Sequence, residues 1–217
     1  MSDSAAAAEH LKVIRGMMER ATVYRAVSAP AAIFGGVLAV LTGGYFIFLE
    51  SDGEEVSGKL FFMVWVGVLI LVDIFNTFLL WKRANAADEP LFSAGMKHVC
   101  LVFGPTMVAG GILSYEIAVS QNAFELCALT WILCYGAALL AMGGVAPRSL
   151  RRLGWAFMGA GAALFLAWKI TGNSIPEALG LGTVGAASAA MIVTFGLMHL
   201  AHGIGVLLRK GSEGEPA

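Results

Sequence analysis

The chain has 217 residues, of which 58% are hydrophobic and only 13% charged, with a mean hydropathy of +0.78. A soluble domain is about half apolar and about a quarter charged, so this composition excludes one. The formal charge of −1 gives no sign of a nucleic-acid partner, and none is expected.

Taken in chain order, residues 8–25 read as a helix lying on a membrane surface. Leu11, Ile14, Met18 and Ala21 recur at helical spacing, while Lys12, Arg15, Glu19 and Arg20 supply the polar side. "SAP" at 28–30 marks a bend or first turn into the membrane. The Ala-rich residues 5–8 are followed by this charged segment, and the first long apolar run is of spanning length. No cleavable signal is expected.

A helix needs about 20 apolar residues to cross the hydrocarbon core, because unpaired backbone groups are too costly there for open structure. Six runs qualify, at 26–49, 60–81, 98–117, 123–146, 150–168 and 178–208. The predicted fold is therefore an all-α polytopic bundle of six transmembrane helices. An amphipathic cytoplasmic segment at 1–25 precedes the transmembrane domain at 26–210, and a tail at 211–217 follows it.

Counted on alternate sides of those spans, every one of the 14 Lys and Arg residues except Lys59 and Lys169 falls on one side. Short Lys/Arg-rich loops stay in the cytoplasm, so both termini are expected there, with "ESDGEEVSGK" and "KITGNSIPEALG" outside. The basic face matches anionic lipid. Trp155 and Trp168 bracket the fifth run and Trp81 ends the second, as interfacial tryptophans do.

Glycine is abundant, with 27 residues including pairs at 35–36, 43–44, 110–111 and 143–144. Small residues let membrane helices approach closely, so these glycines are expected to pack helices together. Pro105 falls early in the third run and is expected to kink it. Only that run has a proline well inside, and no duplication relates the two halves, which weighs against an inverted-repeat transporter. Cys100, Cys127 and Cys134 read as buried free thiols.

Polar residues at membrane depth are the candidate site. Asp73, Asn76 and Thr77 in "LVDIFNTF" share one helix face and are expected to point into the bundle. In the sixth run, "GLMHLAHG" carries His199 and His202. At a rise of 1.5 Å per residue, Asp73 lies roughly 14 Å from Lys82 and His199 roughly 15 Å from Arg209, so the two match in depth. The expected arrangement is an intramembrane polar network of Asp73, Asn76, Thr77, His199 and His202, with Asp73 against His199.

Competing readings of the same residues are weaker. A metal site needs Asp73, His199, His202 and His98 to converge, and no H-E-x-x-H or Cys/His cluster accompanies them. Haem would need His98, at the surface end of the third run, as second axial ligand. No metal and no cofactor is expected. Nucleophile elbow, phosphate loop and paired catalytic carboxylates are all missing from the sequence, so no enzymatic activity is expected.

The segments "IRGMMERATVYRAVSAPAAIFGG", "LWKRANAADEPLFSAGMKH", "LTWILCYGAALLAMGG" and "FGLMHLAHGIGVLLRK" together resemble a group of bacterial six-helix inner-membrane proteins. That group has an I-R-x-x-M-E-R-A-T start, a P-L-F-S loop before the third helix and G-x-x-H in the sixth. Met18–Thr22, Pro90–Ser93 and His199 match its motifs, and His202 lies outside them. The resemblance implies a multi-pass bacterial inner-membrane protein and carries no activity with it.

Two function classes follow. The first is a non-enzymatic bundle that binds a partner or senses membrane state, its partners being membrane lipid and a protein or a second copy of the chain. The alternative is a small proton- or ion-coupled transporter using Asp73 and His199.

Overall fold

The computed structural model describes residues 28–86, 88, 94–142, 147–172 and 174–212. The segment read as an amphipathic helix at 8–25, the loop 90–93 and the tail from 213 lie outside the described residues. The described residues form an all-α bundle, and six helices are long and apolar enough to cross a membrane. The protein is a multi-pass membrane protein. Short connections make consecutive spans antiparallel, so the described basic residues at helix ends, other than Lys59 and Lys169, gather at one end of the bundle.

The first four spans follow the apolar runs closely. Helix α1 (Ala29–Ser51) starts at Ser28, whose hydroxyl accepts from the Ala31 N–H at 3.3 Å, with Pro30 in the first turn. Helix α2 is Gly58–Ala86. Helix α3 (Ala94–Tyr115) contains Pro105 and runs on into a π-helical turn, Glu116–Ser120. Helix α4 is Phe124–Ala141.

Helix α5 (Arg148–Thr171) packs closely on α4. A Cβ placed on Gly161 would come within 2.6 Å of Leu133, and one on Gly136 within 3.1 Å of Met158. These are the close helix approaches that small residues permit.

After a short helix, α6 (Ser174–Ala178), the sixth span is built in three parts. Helix α7 (Thr183–Met191) passes into a π-helical stretch, Ile192–Met198, and then into α8 (His199–Ser212). This span packs along α1. Ala29, Gly36, Gly43 and Glu50 recur every seven residues and so share one face of α1, with a drift of about 20° per two turns.

On that face, a Cβ on Gly36 would come within 2.9 Å of the Gly196 carbonyl, and one on Gly43 within 3.1 Å of the Ser188 carbonyl. From the other helix, a Cβ on Gly203 would come within 2.9 Å of the Ala29 carbonyl. Glu50 completes the seam. Its carboxylate accepts from the backbone N–H groups of Gly182 at 3.0 Å, Val184 at 3.0 Å and Gly185 at 2.9 Å. It thereby caps the sixth span, where the free N–H groups and helix dipole favour negative charge.

An aromatic core occupies the acidic end of the bundle. The Phe61 ring lies 5.0 Å from Phe46 and 5.3 Å from Phe124. Helix α2 is tied to the third span at this end, where the Gly58 N–H donates to Asn122 Oδ1 at 3.2 Å and Phe62 meets Tyr115 at 5.5 Å. Toward the basic end α2 turns to α1 instead: Phe75 lies 4.5 Å from Phe34, and the Ser28 hydroxyl donates to Asn76 Oδ1 at 3.3 Å. The two spans thus part company along their length.

Candidate functional site

A cavity of about 310 Å³ lies within this arrangement, walled by the first, second, third, fourth and sixth spans. Its size is at the lower end of small-molecule sites, which run from about 300 Å³ to about 1,000 Å³. Most of the wall is apolar. Trp65, Phe103, Trp131, Tyr135 and Phe195 contribute rings, and Met96, Met107, Met142 and Met191 contribute thioether chains that adapt to irregular shapes.

The polar groups are few and sit toward the basic half. Asp73, Asn76 and Thr77 line the cavity from α2, as their common helix face requires, and His199 lines it from the sixth span. Four of the five residues read as a network therefore border one space. His202 does not border it, and His98 is exposed at the start of the third span.

Inside that space the expected pairing of Asp73 with His199 is not made. No hydrogen bond or ion pair joins them among the described residues. The imidazole instead meets Tyr135 of α4, with the phenol oxygen 2.8 Å from Nε2. Nδ1 is buried without a hydrogen-bond partner among the described residues. The tautomer sets the direction of this bond: with the proton on Nδ1 the tyrosine O–H donates to Nε2, and with the proton on Nε2 the imidazole donates to the phenol oxygen.

Rings enclose this pair. Phe195 stacks on His199 at 5.9 Å and 11° between planes, Phe157 meets the imidazole edge-on at 5.4 Å, and Phe103 meets Tyr135 edge-on at 5.8 Å. The π-helical stretch ends one residue before His199 and carries Phe195. Such stretches change the angular phase of a helix and recur at functional sites. Here the stretch adjoins a span on which Phe195 and His199 both reach the cavity while Gly196 and Gly203 keep the seam with α1.

Asp73 is exposed, lines the cavity and is within electrostatic reach of Tyr135. Its carboxylate has no hydrogen bond or ion pair among the described residues. Asn76 is anchored by Ser28, which holds the start of α1 to α2 beside the cavity. Among the described residues no lysine or arginine lines the wall.

Of the thiols expected to be buried, only Cys127 is fully so. Cys134 is half-buried, and Cys100 is exposed and lines the cavity, because the third span is packed loosely on that side. Among the described residues no three His, Cys, Asp or Glu side chains are placed to hold a metal ion.

Tyr135 is the residue that sequence reasoning passed over. Its signal was available: a tyrosine in the middle of the apolar run "LTWILCYGAALL" must place its hydroxyl somewhere polar. Comparison with known protein families, with curated proteins and with solved structures finds no match for the chain.

Proposed function

We propose that the protein is a non-enzymatic bacterial inner-membrane protein, with both termini cytoplasmic, that binds a small apolar-bodied molecule drawn from the bilayer. This is the form that membrane sensing takes here: occupancy of the cavity reports the presence of that molecule in the membrane. The observation that carries the reading is the cavity itself, about 310 Å³ of mostly apolar space at membrane depth, bordered by the few convergent polar groups that fix a ligand's orientation. Orientation is supported by the basic residues gathered at one end, which positive-inside bias keeps in the cytoplasm.

Photocrosslinking tests the reading. A benzophenone amino acid replacing Phe103, on the cavity wall, is expected to give a discrete small-molecule adduct by intact-protein mass spectrometry. The same group replacing Phe165, exposed on the outside of α5, is expected to capture only the mixture of bulk lipids. Identical adduct spectra at the two positions would refute the reading.

One observation favours a second reading. The Asp73 carboxylate, unpaired among the described residues and sharing a cavity with His199, is placed as the proton- or ion-carrying groups of transporters are. Uptake into proteoliposomes driven by an imposed pH gradient and lost in Asp73→Asn would establish transport.

A further inference from the structure

Among the described residues, the wall of the cavity carries one carboxylate, Asp73, and no lysine or arginine. That carboxylate has neither a hydrogen bond nor an ion pair among the described residues. A carboxyl group in an apolar, water-poor setting is costly unless a positive partner or a proton joins it. Among the described residues, the other titratable groups lining the cavity are Tyr135 and His199, which are engaged with each other, and Cys100. None of them offers Asp73 a fixed positive charge.

The same space is lined by the rings of Trp65, on α2 with Asp73, and of Phe103 and Trp131, from the third and fourth spans. Trp65 and Trp131 are buried, so packing holds their rings in place. Aromatic faces attract cations, with tryptophan the strongest, and the attraction grows when the ion is desolvated. A carboxylate and aromatic rings lining one apolar space make a site whose electrostatic complement is a single positive charge. The remaining thioether and aliphatic surface is complementary to an apolar body.

We propose that the cavity binds a lipophilic organic cation, a monovalent positive centre carrying aromatic or alkyl groups, with Asp73 as its counter-charge. The inference rests on the ligand-binding reading above and names the chemical class of ligand. An anion of the same shape is repelled by Asp73, and a neutral molecule leaves the carboxylate without a partner. Inorganic cations fit poorly, because the apolar wall has too few oxygen ligands to replace their hydration shells.

The test uses the full chain in lipid nanodiscs and three probes of similar shape: tetraphenylphosphonium, neutral triphenylphosphine oxide and tetraphenylborate. Equilibrium binding is measured for the native protein, Asp73→Glu and Asp73→Asn. The phosphonium is expected to bind saturably, to be retained by Asp73→Glu, and to weaken about tenfold or more in Asp73→Asn or when the charge is removed from the probe.

The probe series reads the role of charge without any substitution, so a variant that fails to fold does not remove the test. Equal binding of phosphonium and phosphine oxide, unchanged in Asp73→Asn, would overturn the cation assignment and leave the cavity as a site for neutral molecules. Absence of saturable binding by all three probes, together with identical photoadducts at 103 and 165, would overturn both.

Discussion

Tyr135 and His199 find each other because each would otherwise bury a polar atom among rings. The phenol and imidazole come from spans four and six and are joined at 2.8 Å, with Phe103, Phe157 and Phe195 around them. In hydrocarbon an interhelical hydrogen bond contributes about 0.6–2 kcal/mol, and an abandoned partner adds its own desolvation cost. Tyr135→Phe and His199→Phe are each expected to lower stability by about 1–2 kcal/mol in detergent, and the double variant to lose less than the sum. Asp73→Asn, whose carboxyl makes no bond to the imidazole, is expected to combine additively with His199→Phe. Coupling of Asp73 and additivity of Tyr135, measured by thermal unfolding, would reverse the assignment.

At the scale of elements, the strongest joint is between α1 and the sixth span. Its stripe of Ala29, Gly36 and Gly43 brings backbone against backbone, and Glu50 at the end of the stripe caps the partner helix. Gly67 of α2, by contrast, has nothing within 4 Å of an added Cβ. Gly36→Leu is therefore expected to cost about 1–3 kcal/mol or prevent assembly, and Gly67→Leu to be tolerated, because only the first overpacks a seam. Folded yield by fluorescence-detected size exclusion distinguishes them; equal yields would show that the seam is not close-packed.

These elements were unequally legible in the sequence. The six spans could be read because membrane crossing imposes a length of about 20 apolar residues that no other constraint obscures. The abundance of glycine announced close helix approach without saying which glycines make it, since Gly36 and Gly43 do and Gly44 has nothing within 4 Å of an added Cβ, and depth counting put Asp73 and His199 level with each other. Depth does not give angle, however. Which way His199 faces depends on the neighbouring π-helical stretch Ile192–Met198, which has no marker in the residue pattern. Glu50 was likewise hidden in an acidic loop, since its partners are backbone groups more than 130 residues away.

For the molecule as a whole, the consequence of this packing is uneven support. The sixth span is held along α1 and α5 along α4, while α2 is fastened to the third span at the acidic end and to α1 at the basic end. The cavity is the space left between those attachments. No periodicity encodes it, since it is a gap between helices and not a property of any one of them.

Two alanines test whether this space exists. Ala39 is 2% exposed and borders the cavity, whereas Ala138 is 0% exposed and does not. Enlarging a side chain into a void is tolerated, while enlarging one in a close-packed core costs about 1–3 kcal/mol. Thermal unfolding of the purified protein is predicted to leave Ala39→Leu within about 1 kcal/mol of the native chain and to show Ala138→Leu destabilised by more than that. Equal destabilisation of the two variants would mean that the space beside Ala39 is already filled by the protein and that no ligand cavity lies there.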